Sequence, residues 1–379
     1  TTTYGAISNV TRPIGSATTG SLAMNIDKVG YTYGKPVIVK TQAHGWVALV
    51  TSGLNNGTGT VAQGTGGDGH GYLFVLDAMT GALLHVFDTE AGTAANPSGL
   101  AHLSAFVQNP QLDNTVQYVY GGDLLGNVWR FDLNSATVAN WKLQKLAALV
   151  DGSGNAQPVT TEPELAVIQV AGIDKRLVYV GTGQYLGQSD IPGATAQASY
   201  TQTMYALVDS LANLSSGSSP VITPLRSNLQ SQTLSAVTPA TTPPTRTTGT
   251  TVTPVNYTSQ QGWYVDLPDT GERINTNPAL ALGALYFTSN IPNSDPCLPG
   301  GSSWLNILDY KNGTAATPLA ASTSLGNSLA SRPILVQLAN GQVKVIVRLS
   351  NATTTTQSGK GTGFTSAIRR QSWKEIKRN

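Results

Sequence analysis

Charge is the first thing this sequence lacks. Only 11% of its 379 residues are Asp, Glu, Lys or Arg, and the formal balance is +2. A nearly neutral chain has no broad basic surface for a nucleic-acid backbone. The basic tail "IRRQSWKEIKRN" (368–379) reads as a solvated terminus. Cysteine is almost absent too. Cys297 stands alone between "NSDP" and "LPGG", so no internal disulfide forms, and no neighbouring His motif makes it a nucleophile. Low cysteine does not place the chain in the cytosol, because a partner thiol can lie outside this sequence. No apolar run approaches the length of a membrane-spanning helix, so no membrane span is expected. No signal-peptide pattern is read in the given residues, and a start at Thr1 rather than Met reads as a mature form or an excised domain. GxSxG, P-loop and dinucleotide fingerprints are missing. No enzyme class is therefore indicated by motif.

What is abundant is glycine, at 40 residues, beside 40% hydrophobic residues and much Thr, Ser and Asn. That mixture suits an all-β chain of short strands and tight turns. Two half-motifs recur. One is a β-branched or aromatic strand running into small residues: "VALVTSG" (47–53), "QYVYGGD" (117–123), "LVYVGTG" (177–183), "LYFTSN" (285–290) and "KVIVRLS" (344–350). The other is a strand ending in Asp: "GYLFVLD" (71–77), "GNVWRFD" (126–132), "TMYALVD" (203–209), "GWYVD" (262–266) and "SWLNILD" (303–309). They mostly alternate along the chain. Such repetition without an amphipathic helix predicts radial β-sheets, that is, a propeller, with a sandwich as the alternative. The pattern supplies five or six blades, and a seventh would close from the N-terminal region with a strand near Trp373. The Asp that ends each second strand has a local task. Its carboxylate accepts N–H groups two residues on, as in "DAMTG" (77–81) and "DLNS" (132–135), which makes these aspartates structural.

Residues 1–379 thus read as one propeller domain carrying a Ser/Thr/Pro-rich insertion at about 190–260, a long surface excursion. The stretch "NATTTTQSGKGTG" (351–363) reads as a second, shorter one. "GTGGDGHG" (64–71) leads into a strand and lacks a phosphate-binding Lys, so it reads as a flexible hairpin turn. The histidines at 44, 70, 85 and 102 fit no metal-binding spacing.

The segment before "VYGGD" is different. In "NPQLDNTVQ" (109–117), oxygen-bearing residues stand where a calcium loop places its ligands. Asn109, Gln111, Asp113, Asn114 and Gln117 align with Asp-x-Asp-x-Asp-Gly-x-x-Asp, and the Thr115 carbonyl is the natural additional ligand. Three of the expected carboxylates are amides. Weak calcium binding and a metal-free turn built on Asp113 and Asn114 both remain open.

"YVYGGDLLGNVWRFDL" (118–133) resembles the signature of the C-terminal domain of the PilY/PilC family of type IV pilus biogenesis factors and tip adhesins. "GWYVDLPDTGERINTNPAL" (262–280), "PCLPGGSSWLNILDYKNG" (296–313) and "RRQSWKEI" (369–376) look like its later landmarks, and "YGKPVIVK…HGWVALVTSG" with "GYLFVLDAMTG" like its start. The resemblance implies a modified, quinoprotein-like seven-bladed β-propeller with long loop insertions. It implies a non-enzymatic role in promoting pilus extension over retraction and in twitching motility. It also implies contact with minor pilins at the pilus tip and with host-cell or abiotic surfaces. The location implied is the cell surface, pilus tip, or outer membrane and periplasm of a Gram-negative bacterium. In that family a calcium loop before the "VYGGD" strand is regulatory. Only Asp113 keeps its acidic ligand here; Asn109, Gln111 and Gln117 depart from it. The alternative is a dehydrogenase dependent on pyrroloquinoline quinone, because "GYLFVLDAMTGALLHVFDT" also looks like a quinoprotein blade. The vicinal cysteine pair such enzymes often carry is excluded by the lone Cys297.

Overall fold

The computed structural model describes residues 4–7, 10–14, 22–24, 28–57, 67–107, 110, 112–235, 241–249, 253–293, 300–338 and 342–361. Asn109, Gln111, Cys297, Trp373 and the basic tail lie outside these residues. The described chain is all-β, with only short 3₁₀ turns as helix. No helix among the described residues is long and apolar enough to cross a membrane.

Contacts divide the chain into two compact units. Unit 1 holds Thr1–Leu149, Leu211–Thr223 and Gln371–Asn379, and unit 2 holds Val150–Ser210 and Pro224–Arg370. Unit 1 begins with β1 (Tyr4–Ile7), β2 (Val10–Thr11), β3 (Leu22–Met24), β4 (Val37–Thr41), β5 (Gly45–Thr51), β6 (Tyr72–Asp77) and β7 (Leu83–Asp88). It continues with β8 (Gly92–Thr93), β9 (Asn96–Pro97), β10 (Leu103–Phe106), β11 (Tyr118–Gly122), β12 (Asn127–Asp132) and β13 (Lys142–Ala148). Unit 2 runs through β14 (Glu164–Val170), β15 (Ile173–Gly181), β16 (Thr203–Asp209), β17 (Gln230–Thr233), β18 (Thr245–Arg246) and β19 (Gly262–Asp266). It ends with β20 (Ala279–Ala281), β21 (Ala284–Pro292), β22 (Gly301–Asp309), β23 (Ser322–Ser324), β24 (Ile334–Gln337), β25 (Val343–Arg348) and β26 (Thr354–Ser358).

In unit 1, β4-β5-β6-β7 and β10-β11-β12-β13 are antiparallel meanders, the first extended by β2 lying parallel to β7. In unit 2 the sheets are β14-β15-β16-β19-β17, β18-β23-β22-β21-β20 and the three-stranded β24-β25-β26. A four-stranded meander is the blade of a propeller. Its inner strands are covered on both faces and its outer strands on one. The burial follows that rule: every residue of β11 and β16 is buried, whereas β4 alternates between exposed and buried. Val39, Leu49, Leu73, Phe87, Leu103, Val119 and Phe131 form the unit 1 core, and Tyr179, Met204, Trp263, Leu285, Phe287 and Leu308 the main core of unit 2.

The aspartates at strand ends mostly cap turns as expected. Asp77 Oδ1 accepts Met79 N–H at 2.9 Å and Thr80 N–H at 2.7 Å, and Asp132 Oδ1 accepts Asn134 N–H at 3.0 Å. Asp309 does the same for Lys311 and Asn312. Asp266 differs: it takes both Nη groups of Arg226 at 2.9 Å each, a bidentate pair, and the Thr203 hydroxyl at 2.6 Å.

The described residues of region 190–260 are partly packed, although many others there stay exposed. β16 lies inside it, and Ile222, Leu225, Leu229, Leu234, Val255 and Tyr257 are all buried. Its backbone also finds partners: Ile222 N–H donates to Leu146 O at 2.9 Å, Lys145 N–H to Gly217 O at 2.8 Å, and β17 lies parallel to β19. Sparse apolar residues suffice because neighbouring strands satisfy the peptide groups between them. Likewise, part of the Thr-rich stretch 351–363 is β26, paired along β25.

Candidate functional site in the loop before β11

Asp113, Thr115 and Gln117 lie on the connection from β10 to β11. The connection is pinned at its far end. Val116 N–H donates to Lys40 O at 2.8 Å, and Gln117 N–H to Phe106 O at 3.0 Å, while Gln117 O accepts Leu133 N–H at 2.9 Å. Gln117 therefore already belongs to the sheet, between β10 and β12, instead of sitting in a flexible loop. Val116 is fully buried and anchors the segment in the core.

Asp113 is turned onto its own loop. Its Oδ1 accepts Thr115 N–H at 3.0 Å and the Thr115 hydroxyl at 2.7 Å. The Lys40 ammonium stands 3.6 Å from the same oxygen, brought there by the bridge between Lys40 of β4 and Thr115. The Thr115 hydroxyl, then the Thr115 N–H and the Lys40 charge, hold the Asp113 carboxyl below its usual range. Both partners are well exposed, at 46% and 62%, so the ion pair is screened and weak in stability terms. Thus two of the expected ligand residues, Asp113 and Thr115, are brought together, and a third, Gln117, is committed through its backbone to the sheet. Among the described residues no group of three or more His, Cys, Asp and Glu side chains converges to hold a metal. A divalent ion entering here would share its carboxylate with an ammonium group already in place.

At the other end of β11 the carboxylate chemistry reverses. Asp123, the last residue of "VYGGD", is fully buried. Its Oδ1 accepts the N–H groups of Leu125 and Asn127 at 2.9 Å each; its Oδ2 accepts Asn127 Nδ2 at 2.8 Å and Trp129 Nε1 at 2.9 Å. Burial pushes this carboxyl up to about 6 against the pull of those four donors. Trp129 in turn carries the Lys145 ammonium 5.1 Å from its ring centre. This constellation locks the turn from β11 to β12.

Sequence reasoning missed three further charged clusters. "GDGHG" is no loose turn. Asp68 accepts the Tyr72 hydroxyl at 2.6 Å and pairs with Lys28, and His70 Nδ1 lies 3.0 Å from Asp88 Oδ1. Arg12 adds a pair to Glu90 at 2.9 Å. Asp88 first, with burial opposing, raises the His70 imidazole above its usual range. In unit 2, Arg246 is wholly buried, donates to Glu272 at 2.9 Å and to Asp269, and lies 3.7 Å over the Trp304 ring. Arg226 pairs with Asp266 and stacks 4.5 Å over Tyr264. Each cluster joins residues far apart in sequence, so no local motif announces it.

With this geometry in hand, the chain can be compared with known proteins. A family model described as the PilY1 beta-propeller domain matches residues 18–243. A type IV pilus biogenesis factor PilY1 homolog of Xylella fastidiosa is 33% identical over 337 residues, 80% of this chain and 21% of that protein. PilY1 of Pseudomonas aeruginosa strain PAO1 is 29% identical over 318 residues, 75% of this chain and 26% of that protein. The chain thus spans about a quarter or less of these relatives. The crystal structure of the Pseudomonas aeruginosa PilY1 C-terminal domain superposes with a TM-score of 0.65 at 21% identity, covering 90% of this chain and 75% of that one. The last likeness is one of fold.

Proposed function

This chain belongs to the PilY1 β-propeller family, and on that premise we propose that it is the propeller of a non-enzymatic type IV pilus biogenesis factor. It works at the surface or pilus tip of a Gram-negative cell, favours pilus extension over retraction, and contributes to adhesion and twitching motility. The observation that carries the non-enzymatic reading is how the charged side chains inside the fold are used. Asp123 is spent on four N–H donors, Glu272 on Arg246, and the partly exposed Asp266 on Arg226. A dehydrogenase needs cations and carboxylates held open for quinone and substrate. These groups instead hold turns and sheets together, as in a scaffold that acts through its surface.

For the pilin contact we propose strand addition at β24. Among the described residues this strand pairs only with β25, and Ile334 and Val336 on it, with Leu338 just past its end, are 53%, 37% and 38% exposed. Arg332 and Pro333 guard only the start of this strand, and an apolar edge beyond such a guard is a template for an added strand. For the loop before β11 we propose a calcium-independent turn, in which the Lys40 ammonium and the Thr115 donors do the charge balancing that calcium does in a fully acidic loop.

The test is made in the organism that carries the protein. Deleting residues 1–379 from the full-length chain should abolish surface pili, and blocking retraction should restore them. Unchanged pilus numbers would defeat the proposal, as would quinone-dependent dye reduction by an alcohol in the purified chain. Val336→Lys should abolish capture of minor pilins while pilin capture by an Ile173→Lys control, exposed at the tip of another sheet, persists.

A further inference from the structure

Four sheets of this chain have four or five strands, whereas β24-β25-β26 has three. A propeller blade has four. The two edges of the short sheet differ. β24 starts behind Arg332 and Pro333, but β26, at the opposite edge, contains no Pro, Lys or Arg. Its residues are alternately exposed and half-buried. The bonds that flank its pairing set which peptide groups face where. Leu349 N–H donates to Thr353 O at 2.9 Å, and Gly359 N–H to Val343 O at 2.8 Å. In an antiparallel ladder the intervening Thr355 and Gln357 then face β25. Thr354, Thr356 and Ser358 turn their N–H and C=O groups to the open edge, where no described residue meets them.

The face beside this edge is positively charged. Arg348 stands opposite Thr354, Ile346 opposite Thr356, and Lys344 opposite Ser358. Cross-strand partners share a face, so the two cations bracket Ile346. Lys344 Nζ donates to Ser358 Oγ at 3.4 Å, which leans the ammonium over β26 toward its free edge. Neither Lys344 nor Arg348 forms an ion pair among the described residues. The sequence supplies them no local acid: no Asp or Glu occurs between Asp309 and Glu375, and Asp309 already faces Lys360 at 3.8 Å.

A row of open peptide groups selects an extended peptide, because only a strand returns matching donors and acceptors. An anionic lipid surface would answer the charge and leave the edge unpaired. A second copy of this chain would pair the edge and bring two more cations to the face. An acidic strand answers both. Residues four apart on a strand are about 13 Å apart, so carboxylates at i and i+4 of an added strand match the spacing of Arg348 and Lys344. We propose that the β26 edge takes an extended acidic peptide as the fourth strand of this sheet, its two carboxylates directed to Arg348 and Lys344. This is the edge opposite to the β24 contact, and the proposal stands whether or not that contact or the pilus role holds.

Fluorescence polarisation on the 379-residue chain tests it. The probe is the labelled, end-blocked peptide Thr-Glu-Thr-Val-Thr-Glu-Thr. One control has Lys for both Glu, and the other has Pro for Val and for the two Thr beside it. Saturable binding of the acidic peptide alone is expected, weaker at high salt. The double variant Lys344→Glu with Arg348→Glu should weaken it about tenfold, because two attractions become repulsions. Thr356→Pro should abolish it, since Pro removes an outward N–H and is tolerated on an edge strand. The charge variants lie on an exposed face and keep the test valid if Thr356→Pro does not fold. No binding of the acidic peptide overturns the proposal. So does equal binding of either control, or affinity unchanged in the double variant or in folded Thr356→Pro. Binding to phosphatidylglycerol vesicles without the peptide would make the face a lipid contact. Dimers lost in Thr356→Pro, again without peptide binding, would make a second copy the occupant. Either result overturns the proposal as well.

Discussion

Asp113 and Asp123 stand at the two ends of β11, and the fold treats them in opposite ways. Asp123 is withdrawn from water and answered by four fixed N–H donors, one of them the Trp129 indole. Asp113 is exposed, folded back on Thr115 and faced by the ammonium of Lys40. A buried carboxylate surrounded by donors is a structural part, because every partner it loses is a buried group left unsatisfied. An exposed carboxylate faced by a lysine is dispensable for folding, because water replaces its partners. The same residue type, a strand apart, thus carries fold on one side and surface chemistry on the other.

The largest effect should come from extending the buried half of this comparison to unit 2. Glu272→Ala strands the wholly buried Arg246 with only the partly exposed Asp269, and urea unfolding should show a loss of about 4 kcal/mol. Asp123→Ala should cost about 3 kcal/mol by the same measurement, from the donors it orphans. A cost near zero for either would break the comparison, since buried and exposed carboxylates would then be equivalent.

A smaller, pH-dependent effect separates two histidines of unit 1. His70 is raised above its ordinary value of 6.5 by Asp88. Its pairing therefore stabilises the fold below 6.5 and is lost as pH rises through the raised folded value. His85, buried against Phe87 and Trp141, is lowered to about 3 by burial, so its contribution is present above 6.5 and is lost as pH falls toward about 3. The difference in melting temperature between wild type and His70→Asn should accordingly be larger at pH about 5.5 than at about 9. For His85→Leu the penalty should shrink or reverse on acidification over the same range.

Much of this fold is legible in the sequence, for identifiable reasons. Blade strands announce themselves because a strand buried on both faces reads as a nearly continuous apolar run with β-branched and aromatic residues in it, as in "YLFVLD" and "TMYALVD". Asp77, Asp132 and Asp309 are legible because their hydrogen bonds reach only two or three residues ahead. Asp266 is not, because its partner Arg226 is 40 positions away. Residues 211–257 mislead because Ile222, Leu225, Leu229 and Tyr257 are too widely spaced to resemble a strand, and β13 and β19 supply the backbone partners. The candidate loop is half legible. Its oxygen spacing is written locally, but the ammonium beside Asp113 arrives from β4, which no reading of "NPQLDNTVQ" alone can foresee.

The smallest expected effect bears on the central claim, that the loop before β11 balances its own charge. The decisive measurement is the melting temperature of the chain in excess calcium and in excess chelator, for wild type and Asp113→Ala. The account predicts closely similar values in all four conditions. A large drop in the wild type on chelation, abolished in Asp113→Ala, would contradict it and make Asp113 the anchor of a working calcium site.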